Sequence, residues 1–138
     1  MTKEEARAAA RRYLRQYLKA KARKADIERR RRIIHADLNR VDTPTNRALL
    51  ADIDAALTDQ AEATAQAVKN ILDIIAYLPI HSHERDIIER RYIDGMSWAS
   101  ISRRLYISRS AAALWEQRGL DHLMTFARVQ QIIEEAAP

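Results

Sequence analysis

The sequence of 138 residues contains no cysteine, two glycines, three prolines and a single phenylalanine. The missing cysteine removes disulfides, thiolate zinc sites, iron–sulfur clusters and cysteine nucleophiles together, and it fits a reducing cytosol. A sheet protein of this length would need many turns, and turns draw on Gly, Pro and Asn. Gly95, Gly119, Pro44, Pro79 and Pro138 leave room for only a few interruptions, so β architectures are nearly excluded. Long apolar runs are also missing, and the opening MTKEEARAAARR is charged throughout. Neither a signal peptide nor a membrane span is therefore expected, and the chain reads as soluble and intracellular.

What is present is one domain's worth of chain, or a small domain plus an appendage, with 47% apolar residues. Residues 1 to 40 hold 14 basic and 5 acidic side chains, residues 41 to 80 hold 2 and 6, and residues 81 to 138 hold 8 and 8. The net charge of +5 is thus a strongly basic first segment, an acidic middle and a neutral end. Concentrated positive charge attracts phosphate backbones through counterion release, although a basic helix is as often a plain solvated face.

Residues 2 to about 41 lack Gly and Pro and are rich in the strongest helix formers, with Glu4 and Glu5 suited to the first turn. Ala10, Tyr13, Leu14, Tyr17, Leu18, Ile27, Ile34, Leu38 and Val41 recur mostly three, four or seven apart. The stripe weakens over residues 20 to 25, where a bend or an exposed stretch is expected. Asp42, Thr43 and Pro44 break the helix, and Asp or Thr can cap the next one. A second helix is expected from near residue 45 to about 78, with its stripe running from Leu49, Ile53 and Leu57 to Ile71, Ile75 and Leu78. At ~1.5 Å per residue each helix would be about 50 Å long, and a turn this short makes them antiparallel. Two narrow stripes bury little, so the hairpin is expected to pack on the C-terminal part, on a second copy of itself, or on both, with a homodimer as the expected assembly.

Pro79 stops the second helix, and shorter helical segments follow. Ser82 suits an N-cap ahead of Glu84, Asp86, Ile87, Ile88, Tyr92 and Ile93. Asp94 and Gly95 end that helix, the glycine being free to take positive φ. Ser97 caps a short helix carrying Trp98, Ile101 and Leu105, and Ser108 caps a third carrying Ala112, Trp115, Leu120, Leu123 and Met124. Helix, turn, short helix, tight turn, longer helix is the layout of a helix-turn-helix unit.

Within that unit, HERDIIERRYIDGMSWASISRRLYISRSAAALWEQRGLDHL resembles the fourth conserved region of sigma-70 family transcription factors. It is still more similar to small phage and prophage late-gene regulators of the ArpU and RinA kind, which join such a module to an N-terminal helical segment. Glu84, Arg85, Ile88, Arg91, Tyr92, Gly95, Ser97, Trp98, Ile101, Leu105, Ser108, Arg109, Glu116, Leu120 and Leu123 carry the resemblance, over roughly residues 80 to 124. The resemblance implies an all-α fold: a long, coiled-coil-like antiparallel hairpin over residues 1–78, then a sigma-70 region-4-like helix-turn-helix over residues 79–138. It implies a sequence-specific regulator that binds double-stranded DNA in the cytoplasm of a bacterial host and activates late genes with host RNA polymerase.

A major groove is ~12 Å wide and admits one helix, whose N-terminal residues lie nearest the bases. The expected DNA-contacting residues are Ser97, Arg103, Arg104, Ser108, Arg109, Ser110, Ala112, Ala113 and Arg118, with Arg109 the candidate for a guanine. Arg29, Arg30, Arg31 and Arg32 are expected to add electrostatic grip. The chain departs from the sigma pattern at Ala111, Ala113 and Leu114, where polar readers usually stand, so direct base readout looks thin. Shape readout, or a protein partner on this helix, would follow.

His81, His83 and Glu84 lack the spacing of a zinc-binding helix, and no metal or cofactor is expected. Trp98 and Trp115 read as core residues, and Tyr13, Tyr17 and Tyr92 as packing residues. No nucleophile set, phosphate loop or carboxylate pair can be argued from spacing, so neither an enzyme nor a small-molecule substrate is expected. Competing readings are a phage DNA-packaging recognition subunit, resembling a terminase small subunit, and a helical protein-interaction module; the arginine run could also grip RNA. Gly119, inside the third helix, is unexplained by the pattern and is expected to mark a bend or a close helix contact.

Overall fold

The computed structural model describes residues 1–38 and 41–137. Among these residues the regular structure is all helical and contains no strand. The elements are α1 (Lys3–Leu14), α2 (Gln16–Leu38), α3 (Pro44–Ile75), α4 (His83–Tyr92), α5 (Trp98–Leu105), α6 (Arg109–Leu123) and α7 (Ala127–Ala136). No described helix is long and apolar enough to cross a membrane. The expected first helix is interrupted at Arg15, where the Gln16 amide donates to the Tyr13 carbonyl at 2.9 Å, the kind of side-chain competition that bends helices. Of the two expectations for residues 20–25, the exposed stretch is what the structure has, with Lys21, Ala22, Arg23 and Ala25 exposed, while α2 runs unbroken through Ala20, which is buried and whose carbonyl accepts from the Gln60 amide at 3.2 Å. The expected end of that helix near residue 41 adjoins Asn39 and Arg40, which lie outside the described residues.

Pro44 occupies the first position of α3, where its missing N–H costs nothing, and Thr43 Oγ1 accepts from the Asn46 N–H at 3.1 Å. The helix ends at Ile75, ahead of the expected 78. Tyr77 and Leu78 donate to Ile74 and Ile75 at 3.0 and 2.9 Å, tightening the last turn just where Pro79 disfavours helical backbone at Leu78. Ser82, Ser97 and Ser108 cap α4, α5 and α6 as expected, each hydroxyl accepting the N–H three residues on. Gly95 takes φ +69 in the turn after α4, and Met96 N–H closes that end on Arg90 O at 3.0 Å. Helix α7 was not expected: Phe126 stands at its N-cap without a side-chain bond, so no capping residue marks its start.

Contacts divide the chain into two units. One joins Met1–Leu18 to the chain from Val68 onward; the other is Lys19–Ala67. The 78/79 boundary expected from sequence falls inside the first unit, for a physical reason. Leu14 of α1 and Ile71, Ile74 and Ile75 of α3, with Leu78, close a core otherwise made by Ile88 and Tyr92 of α4, Leu120 and Leu123 of α6 and Val129 and Ile133 of α7. A second small core joins Ile87, Ile101 and Ala112, one from each of α4, α5 and α6, with Trp98, Leu105 and Trp115 packed around it. In Lys19–Ala67 the helices run antiparallel, Ala20 meeting Gln60 and Arg31 pairing with Asp54, and among the described residues of this unit only Ala20 and Ala67 are buried.

Gly119 marks a close approach of α4 and α6. A Cβ there would lie 2.5 Å from Ile88 Cδ1 and 3.1 Å from Glu84 Cβ, and Ile88 is fully buried. Gly119→Ala would gain about 1 kcal/mol of helix propensity and lose about 2 kcal/mol to overpacking, a net loss of about 1. Gly119→Val is expected to cost about 3 kcal/mol in chemical denaturation, and a valine variant as stable as the parent would contradict the contact.

Candidate nucleic-acid interface

Helices α5 and α6 are held by local chemistry at both ends of a short connection. Arg91 donates to the Met96 carbonyl at 2.9 Å and lies 5.0 Å from the Trp98 ring centroid, fixing the entry to α5. Tyr106 caps α5 in the left-handed region, φ 54 and ψ 42, and the Ile107 N–H returns to the Ser102 carbonyl at 3.1 Å. Two residues later Ser108 opens α6.

Around this connection the structure gathers most of the expected contact residues on exposed positions. Ser97, Arg103, Arg104, Ser108, Arg109, Ser110 and Arg118 are exposed. Ser97 and Ser108 have their hydroxyls committed to caps, accepting from Ser100 and Ala111 N–H at 3.1 and 3.0 Å. Arg103 reaches only the Ser100 hydroxyl, at 3.4 Å, and none of Arg103, Arg104 and Arg109 has an acidic partner among the described residues. Arg118 lies over the Trp115 ring at 4.9 Å, so both tryptophans are half-buried platforms for a cation rather than fully enclosed core residues. Ala113 is half-buried and Leu114 is 45% exposed. Ala112 is a correction: it is 0% exposed, packed against Ile87 and Ile101, and has no surface to offer a duplex.

Arg29, Arg30, Arg31 and Arg32 belong to the other unit, Lys19–Ala67. Two of the four are engaged: Arg29 pairs with Asp26 at 3.2 Å and Arg31 pairs with Asp54. Arg30 and Arg32 have no acidic partner among the described residues.

The sequence reading missed the polar ties that hold α6. Glu116, 4% exposed, accepts from Arg11 Nη2 at 2.7 Å and Nε at 3.1 Å, and from the Tyr92 hydroxyl at 2.8 Å. One turn further, Arg7 binds both oxygens of Asp121 at 2.8 Å. These pairs run α1 antiparallel to α6; the spacings 7–11 and 116–121 were the only sequence signal. Burial first, and the Glu116 carboxylate second, push the Tyr92 phenol well above the ordinary tyrosine range. The Arg7 hydrogen bonds, with its charge, hold the Asp121 carboxyl below its usual value.

A lowered native pKa means that the unfolded chain binds more protons in acid. The Arg7–Asp121 contribution is therefore complete above about pH 4 and is lost as pH falls through the native value. Asp121→Asn is expected to lower Tm at neutral pH and to flatten the fall of Tm between about pH 4 and pH 2. Parallel acid limbs for the two proteins would contradict the pairing.

The unit charges also revise the balance read from sequence. Residues 1–18 hold five basic and two acidic side chains and residues 68–138 hold nine of each, so the unit that contains α5 and α6 carries +3 and Lys19–Ala67 carries +2. Among the described residues, no group of three or more His, Asp or Glu is placed to hold a metal ion. Comparison with protein-family models, with curated proteins and with solved structures gives no match for this chain.

Proposed function

We propose that this chain is a DNA-binding transcription regulator of phage or prophage type, in which α5 and α6 form a helix-turn-helix and α6 enters the major groove. The observation that carries the reading is the α5–Tyr106–α6 connection, with Arg103, Arg104 and Arg109 exposed around it and without acidic partners among the described residues. Cations with no internal partner beside a helix N-terminus suit phosphate, and the N-terminal residues Arg109 and Ser110 suit base edges. The sequence resemblance to the sigma-70 fourth region and to ArpU- and RinA-type regulators supplies the biological role, activation of late genes with host RNA polymerase. Dimerisation belongs to the same proposal, because Lys19–Ala67 buries only two alanines among its described residues and leaves Ile33 and Leu49 exposed.

The test is an anisotropy titration of the full chain against duplex DNA from its own upstream and late-operon regions, at several salt concentrations. Binding that weakens steeply with salt, and a tighter complex with one of these duplexes than with scrambled DNA, are expected. Absence of salt-dependent binding would remove the reading. A second reading, a protein-interaction module, draws on one observation: Leu114 stands exposed on α6 beside Ala111 and Ala113, which offer little to read bases.

A further inference from the structure

Tyr106 is unexplained by folding. It is 95% exposed, so its ring buries nothing, yet it holds the left-handed backbone that glycine or asparagine adopts at lower cost. Together with Ser100, Arg103 and Arg104 it lines an open notch of about 330 Å³. That lining contains hydroxyls and guanidiniums and no carboxylate. Arginines in the last turn of α5 also suit the helix dipole, which accounts for their charge but not for a strained, exposed aromatic beside them.

We infer that this notch binds the phosphate backbone of duplex DNA, the Tyr106 hydroxyl donating to a phosphate oxygen while Arg103 and Arg104 neutralise that phosphate and its neighbour. The inference rests on the DNA-binding reading and adds Tyr106 to it as a phosphate-contacting residue. Phosphate oxygens accept well from charged and phenolic donors, and such contacts set the register of a reading helix without choosing a base. A protein partner would be expected to find apolar neighbours around the tyrosine, and the notch has none.

A labelled mixed-sequence duplex is the probe, because a phosphate contact does not depend on the operator. Tyr106→Gly is expected to raise Tm by a few degrees, since the left-handed turn is relaxed, and yet to weaken duplex binding about 5- to 10-fold. Tyr106→Phe, which keeps the ring and loses the hydroxyl, is expected to weaken binding to a similar degree. Neither change removes a charge, so the salt slope stays as in the parent, whereas Arg103→Ala and Arg104→Ala each reduce it by about 0.9. Parent-like affinity in both tyrosine variants overturns the inference, and it is the result that a protein-facing Tyr106 would give. Failure of the parent itself to bind duplex removes the DNA reading instead, so the two failures are told apart.

Discussion

Glu116→Ala is expected to lower the unfolding free energy by about 3 kcal/mol, the largest loss from any single polar side chain in this protein. Its carboxylate is nearly enclosed and joins three helices, accepting from Arg11 on α1 and from Tyr92 on α4 while sitting on α6. Truncation leaves a buried phenol and a part-buried guanidinium without their acceptor. The guanidinium retains some solvent, which keeps the expected loss toward the lower end for broken buried pairs. Glu116→Gln preserves the shape and one acceptor oxygen and should cost about 1 kcal/mol. Replacing both charged partners, Arg11→Met with Glu116→Leu, should recover part of the loss, because apolar groups of similar volume remove the guanidinium's unmet demand and leave only the Tyr92 hydroxyl without its acceptor. Urea unfolding of the four proteins checks the series. An alanine variant as stable as the parent would show that the triad contributes nothing, and a double variant no better than Glu116→Ala would show that packing, not the unmet polar groups, carries the cost.

That triad also marks where sequence reasoning stopped. The features set by neighbours in the chain were legible: the serine caps at positions 82, 97 and 108, the glycine turn at 95, and the proline that opens α3 each follow from chemistry within four residues. Features that depend on distant partners were not. Nothing near Arg7 and Arg11 distinguishes them from the solvated arginines beside them, and their roles exist only because α1 lies along α6. The break at Arg15 has no glycine or proline to announce it, and α7 begins without a capping residue. Helix phase explains the remaining error at the candidate site. Ala112 and Ala113 are adjacent in sequence but point about 100° apart around α6, so one is enclosed and the other half-exposed. Gly119 is the converse case, an apparent misfit in the sequence that the approach of Ile88 and Glu84 explains.

Charge shows the same dependence on tertiary placement. The +9 of residues 1–40 suggested a basic helix attached to a neutral C-terminal part, yet its first eighteen residues belong to the unit that contains α5 and α6, and two of its arginines answer the carboxylates of α6. With those acids matched from α1, the uncompensated cations of α5 and α6 are left to face outward. Electrostatic grip on a duplex therefore need not be supplied by the arginine run alone, half of which is already paired.

Replacing Arg103, Arg104 and Arg109 together with alanine is accordingly expected to have the largest effect on binding, a loss of about 150- to 2,000-fold in duplex affinity at low salt. Each lost contact accounts for about 1–1.5 kcal/mol, and the three losses add if the residues touch separate phosphates or bases. The dependence of log affinity on log salt should flatten by about 1.8, since Arg103 and Arg104 each neutralise a phosphate worth about 0.9 and Arg109 faces a base edge. The fold should be nearly unaffected, because all three side chains are exposed and have no acidic partner among the described residues. Arg30→Ala with Arg32→Ala is the comparison that separates the two units. If the arginine run also grips DNA, this pair flattens the slope by up to about 1.8; if it only keeps its hairpin solvated, the slope is unchanged. A triple variant that keeps the parent's slope while remaining folded would place the bound duplex away from α5 and α6, and would transfer the reading of this module to a protein partner on the Leu114 face.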